Sequence, residues 1–198
     1  MRSPAIFQIT SLLAALFHSA AAAQPPVRRD QLSKCKHTAQ EVVQKLNLTA
    51  NPEKGYYVES FRDPDTYNNR SVSTAIYYLL EGSAGDSLWH RVDAAEVWHY
   101  YAGAPLVLSV SHDDGQPIKK VTLGGDIFDG QQPQVVIGKW EWQSAKSLGD
   151  WTLVGTTGKH VWFVLATRHF ANVFTVVAPA FDPSGYEIAA ADWEPKGA

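Results

Sequence analysis

The sequence predicts an all-β domain, a sandwich or barrel, preceded by one short helix. Three observations carry this. From Gly55 onward the chain is a succession of short runs rich in β-branched and aromatic residues, punctuated by Gly, Pro, Asp and Asn. A segment of helical period lies ahead of those runs. Finally, 45% hydrophobic and 19% charged residues over 198 positions suit one domain with a real core.

Taken in order, the helix comes first. In "HTAQEVVQKLNL", Thr38 and Glu41 form a capping box, and Val42, Val43 and Leu46 recur at helical spacing. Asn51-Pro52 ends it. The strand candidates follow: "YYVESF", "STAIYYLL", "SLWHRV", "EVWHYYA", "PLVLSVS", "KKVTLGG", "PQVVIGKWEW" and "WTLVGTT". One domain over residues 38–195 accounts for them, with residues 24–37 as a polar lead-in.

Ahead of the lead-in, residues 1–23 read as a secretory signal peptide. Arg2 supplies the positive start, and Ile6 to Phe17 is apolar but too short to span a bilayer. Ala21-Ala22-Ala23 offers small residues before a cleavage at Gln24. The expected location is therefore outside the cell or in the secretory lumen, with no membrane span in the mature form. Asn47-Leu48-Thr49 and Asn69-Arg70-Ser71 are glycosylation sequons, making Asn47 and Asn69 candidate acceptors. Cys35 is the single cysteine, so no disulfide forms within the chain. A formal net charge of −3 with no basic run argues against a nucleic-acid partner.

The chemistry concentrates in "SLWHRVDAAEVWHYYAG", residues 87–103. It reads as a strand, a tight turn and a second strand. Side chains alternate faces, so His90 shares a face with Val92, and Glu96 with Trp98 and Tyr100, while His99 points the other way. An imidazole and a carboxylate meeting across this hairpin would suit a metal ion or a proton-transfer pair. Trp98, Tyr100, Trp140 and Trp142 either fill the interior or wall a pocket for a ring-shaped ligand. Glu59 lies in an otherwise hydrophobic run; exposed it belongs to a solvated face, and buried it becomes an acid or base. No Gly-x-Ser-x-Gly elbow is present, and "LGGDIFDG" lacks the lysine and helix of a phosphate loop.

The same stretch resembles the first motif of the cupin superfamily: a glycine, His-x-His, a glutamate and a later glycine. Gly85, His90, Glu96 and Gly103 take those places, and Val92 stands where the second histidine would be. "NPEKGYYVESFRD", "RSVSTAIYYLLEG" and "VAPAFD" extend the resemblance to a single-domain cupin branch of unknown function over about residues 40 to 192. The resemblance implies a jelly-roll barrel (a double-stranded β-helix) similar to deoxysugar epimerases, and often dimeric. Exposed edge strands would also allow a homodimer. In the second motif Gln143 takes the place of the metal histidine. The implied metal set is then His90, Glu96 and Gln143, with His99 added if the strand bends. A glutamine amide is a poor transition-metal ligand beside imidazole.

Two classes of function follow. The first is an epimerase, isomerase or lyase acting on a small cyclic molecule, a sugar or secondary metabolite. His90 and Glu96, with His99 beside them, would be its catalytic groups, and Glu59, Trp98, Tyr100, Trp142 and Gln143 its substrate wall. A divalent-metal oxygenase or decarboxylase is a variant of it. The second is a non-catalytic binding or storage protein.

One segment stands apart. Residues 158–176, "GKHVWFVLATRHFANVFTV", interrupt the resemblance; without them the flanks join as "LVGTTVAPAFDPSGYEIA". Gly158-Lys159 is able to encode a splice donor, Ala171-Asn172 a branch-point word and Thr175-Val176 an acceptor, so the segment reads as a translated short intron. The rival reading is a genuine extra strand and loop. His160 and His169 are not read as ligands.

Overall fold

The computed structural model describes residues 37–159 and 182–198. The signal peptide, nearly all of the lead-in and most of the 158–176 segment lie outside the described residues. Helix α1 (Ala39–Leu46) forms where the sequence predicts it. Thr38 accepts from the Glu41 amide, and the Glu41 carboxylate accepts from the Thr38 amide at 2.7 Å. The helix stops at Asn47, whose φ of 54° terminates it before Asn51-Pro52 is reached.

Thirteen strands follow among the described residues: β1 (Thr49–Ala50), β2 (Tyr56–Arg62), β3 (Thr66–Tyr67), β4 (Arg70–Ser71), β5 (Thr74–Glu81), β6 (His90–Val92), β7 (Ala95–Gly103), β8 (Leu106–Ser111), β9 (Lys119–Leu123), β10 (Gln134–Ile137), β11 (Trp142–Ser147), β12 (Trp151–Lys159) and β13 (Tyr186–Ile188). They form a six-stranded sheet, β1-β2-β5-β12-β7-β10, and a five-stranded sheet, β13-β6-β11-β8-β9. β3 and β4 make a separate hairpin. All pairings between named strands are antiparallel. Sequence neighbours such as β6 and β7, or β10 and β11, sit in different sheets. That alternation makes the architecture a jelly roll.

Two sequence expectations change here. "LWHRV" and "EVWHYY" are not a hairpin: β6 pairs with β11 and β13, whereas β7 pairs with β10 and β12. Asp93-Ala94 is a corner that carries the chain from one sheet to the other. The run "PQVVIGKWEW" is likewise broken, into β10 and the start of β11, by a turn in which Trp140 takes φ 61°. Alternation of apolar residues marks a buried face, but it does not say which partner strand lies beside it.

The core lies between the sheets. Leu80, Leu106, Leu108, Leu123 and Val154 are fully buried there beside Trp98, Val135 and Ile137. A second cluster packs α1, through Ala39, Val42, Val43 and Leu46, against Leu79 and Trp151. The Trp151 indole N–H donates to the His37 carbonyl at 2.8 Å, which fixes the start of the helix.

Gly103 ends β7 at φ +90°, and a Cβ there would meet the Trp151 carbonyl at 2.4 Å. Backbone cannot retreat as a side-chain tip can. Gly103→Ala is expected to lower stability by more than about 1 kcal/mol. A denaturant midpoint equal to wild type would contradict this account of the turn.

Candidate active site

Among the described residues the core does not fill all of the space between the sheets. Beside it lies a cavity of about 540 Å³, a size that suits a small-molecule ligand. Tyr78 and Trp98 form the boundary, since both belong to the core and also line the cavity. Their rings meet edge to face, with centroids 5.9 Å apart. Tyr57, Ile76, Val92 and Tyr186 add apolar wall.

Polar groups converge on this space from separate elements. Glu96 projects from β7, on the same face as Trp98, as alternation requires. Behind it, fully buried on β11, lies Gln143. The Trp98 indole N–H donates to Gln143 Oε1 at 2.9 Å, and Gln143 Nε2 donates to Glu96 Oε2. His90 enters from β6, in register with Gln143. Its Nδ1 lies 3.4 Å from Glu53 Oε2 and 3.2 Å from the Leu88 carbonyl oxygen. Both neighbours are acceptors, so Nδ1 carries the proton and Nε2 is left as the basic nitrogen. The Tyr186 hydroxyl donates to Glu53 Oε1 at 2.8 Å, which holds the carboxylate against the imidazole.

Burial pushes the Glu96 carboxyl above the ordinary carboxylate range. Nearby His90 and the Gln143 amide oppose that shift, and the Glu53 charge adds to it. The Tyr186 phenol is raised well above its usual value by burial and by the Glu53 carboxylate, so it remains a donor. The result is a carboxyl biased toward its neutral acid form within electrostatic reach of the His90 imidazole.

At the mouth, Arg70 of β4 holds Asp93 in a bidentate pair at 2.7 and 2.9 Å. This ties the β3–β4 hairpin to the corner between β6 and β7. Asp93 also donates its backbone N–H to the Gly185 carbonyl at 2.8 Å, bringing in the turn before β13. Arg62 pairs with Glu59 on β2 beside it, at 2.6 and 2.9 Å.

The residues singled out from sequence divide sharply. His90, Glu96, Trp98 and Glu59 line the cavity, and Gln143 backs it. His90 and Glu96 come together from facing sheets rather than across a hairpin. His99 is on the opposite face of β7, stacked on Tyr101 at 6.5 Å with Nε2 3.4 Å from the Thr157 hydroxyl, so it is not a member of the site. Tyr100 is engaged elsewhere, packing against the core and donating its hydroxyl to the Gly103 carbonyl at 2.6 Å. Trp142 faces away, against Trp193 at 4.4 Å and under the Arg91 guanidinium at 4.6 Å.

Gln143 does not fit the metal role either. An amide ligates a cation through oxygen, and Trp98 occupies that oxygen while the nitrogen faces Glu96. Among the described residues no cluster of three His, Cys, Asp or Glu side chains is arranged to hold a metal. Glu53 and Tyr186 were missed in the sequence. Glu53 sits in the "NPEKG" turn before β2 and Tyr186 near the C-terminus, and both reach His90 only through the fold.

The comparisons agree with the architecture. The sequence model of a family described as Cupin superfamily (DUF985) matches residues 40–189. The chain belongs to that family. A Shewanella oneidensis protein solved by structural genomics is similar, with a TM-score of 0.64 and 24% identity, over 78% of this chain and 85% of that one. A hypothetical protein from Leishmania major is also similar, with a TM-score of 0.61 and 24% identity, over 76% of this chain and 86% of its own. No curated protein matches the sequence.

Proposed function

We propose that this cupin is an acid/base enzyme for a small cyclic carbonyl compound, a sugar or a secondary metabolite, of the epimerase, isomerase or lyase type. The observation that carries the reading is the pairing of His90, backed by Glu53, with a carboxyl held toward its neutral form, both lining one aromatic-walled cavity. In the proposed step His90 Nε2 takes a proton from a ring carbon beside the carbonyl. The electron pair of that C–H bond becomes the new C=C bond, and Glu96 gives its proton to the carbonyl oxygen. Return of a proton to the other face, or to another carbon, gives the epimer or isomer. Protons and electrons balance without an external redox partner. We also propose that residues 1–23 direct the chain to the secretory pathway. The exposed positions of Asn47 and Asn69 are compatible with glycans there.

A thermal-shift screen of the mature protein against cyclic sugars and cyclic ketones tests the binding part. At least one ligand is expected to raise the melting temperature, and Trp98→Ala is expected to abolish the rise. A ligand that stabilises the Trp98→Ala variant as strongly as wild type binds elsewhere, and would count against this cavity.

A further inference from the structure

The oxygen of Glu96 that carries the proton is fixed by a residue outside the cavity lining. An indole N–H is a donor only, so the Gln143 atom facing Trp98 must be its oxygen. The flip of the amide is thereby settled, and its N–H₂ group faces Glu96 Oε2. An oxygen that accepts an N–H bond behaves as the carbonyl oxygen of the acid. Oε1 accepts no hydrogen bond from any described residue, and every fully buried side-chain polar atom among the described residues has a partner. Oε1 is therefore the oxygen left accessible, on a side chain that lines the cavity.

We infer that Gln143, oriented by Trp98, is a positioning residue that places the transferable proton of Glu96 on Oε1, facing the ligand. This rests on the acid/base reading and deepens it: the ligand meets Glu96 with an acceptor oxygen, not with a cation. Turned over, the amide would offer its own oxygen to Glu96, the acid would donate backward, and the cavity would lose its proton donor. The groups around Glu96 come from several elements: His90 from β6, Gln143 from β11, Glu53 from the loop before β2 and Tyr186 from β13. The hydrogen-bond influence of Trp98 on Glu96 runs through Gln143, so that influence must vanish when Gln143 is gone.

Infrared spectroscopy of the ligand-free protein tests this. The wild-type spectrum minus that of Glu96→Gln, at neutral pH, isolates the C=O stretch of Glu96 in the region of protonated carboxyls. A band is expected there, lowered in frequency by the Gln143 bond. Gln143→Met, close in shape but without the donor, is expected to move the band upward. Trp98→Phe is expected to move or split it, and Trp98→Phe combined with Gln143→Met is expected to match Gln143→Met alone. A band present in wild type but unmoved in Gln143→Met would overturn the inference while leaving the acid/base reading standing. A missing band overturns both. Should Trp98→Phe fail to fold, the Gln143→Met comparison decides alone.

Discussion

His90→Ala is expected to reduce turnover of the ligand by about a hundredfold to ten-thousandfold, the usual contribution of a positioned general base, while leaving the fold intact. Both parts follow from where the imidazole sits. Its Nδ1 is committed to Glu53 and the Leu88 carbonyl, so Nε2 is the nitrogen available for the proton. Alanine removes that nitrogen and supplies nothing in its place. The ring is one wall of a cavity rather than a packed core plug, so its loss enlarges existing space instead of opening a sealed void. Glu53→Gln is expected to cost less, because it acts through His90. It keeps the size of the carboxylate but removes the charge that stabilises an imidazolium. Steady-state kinetics with circular dichroism on both variants checks the ordering. Unchanged turnover in His90→Ala with native dichroism would remove His90 from the mechanism.

The second large effect is on stability, and it has the opposite sign to most point substitutions. Glu96→Gln is expected to be more stable than wild type at neutral and alkaline pH. The Glu96 carboxyl is raised above its ordinary 4.5, chiefly by burial. Below that ordinary value both the folded and the unfolded chain hold the proton, and the group contributes no pH dependence. As pH rises from there toward the elevated folded value, the unfolded chain releases its proton and the folded one keeps it. Stability then falls by about 1.4 kcal/mol for each pH unit of that window, and stays reduced above it. Glutamine carries no such penalty and still presents a carbonyl oxygen to the Gln143 amide. The gap between the variant and wild type should therefore open with rising pH and close in acid. Urea unfolding at a series of pH values measures it. A constant gap, or one that widens on acidification, would mean that Glu96 is ionised in the folded protein.

What could be read in advance was local. The Thr38–Glu41 box is decided by neighbouring residues, as is the alternation that sends Glu96 and Trp98 into the cavity and His99 to Tyr101 and Thr157, and both survive in the structure. The placement of Glu96 and Trp98 on one interior face, with His99 on the other, followed from the pleat alone. Sheet membership was not legible. A corner such as Asp93-Ala94 and a hairpin turn look alike in sequence, and here the chain changes sheets. Trp142 and Gln143 were both expected in the cavity wall, but consecutive residues of one strand face opposite sides, and Gln143 is the one that faces inward. The partners of His90 were hidden by distance along the chain. Glu53 precedes it in a polar turn, and Tyr186 lies far beyond, in a strand that pairs with β6. Gln143 was legible as a departure from a metal ligand. Its use, as the residue that locks a carboxyl, required the direction of two hydrogen bonds.

Hydrogen exchange between solvent and ligand tests the proton-transfer claim most directly, and it needs no knowledge of the product. The mature protein would be incubated in heavy water with each cyclic carbonyl compound that raises its melting temperature, and the recovered compound weighed by mass spectrometry. Incorporation of one deuterium at a ring carbon is expected with wild type, and none above background with His90→Ala. A compound that binds in the cavity yet returns without deuterium, or gains it equally with the variant, would contradict the account and leave a protein that binds without reacting.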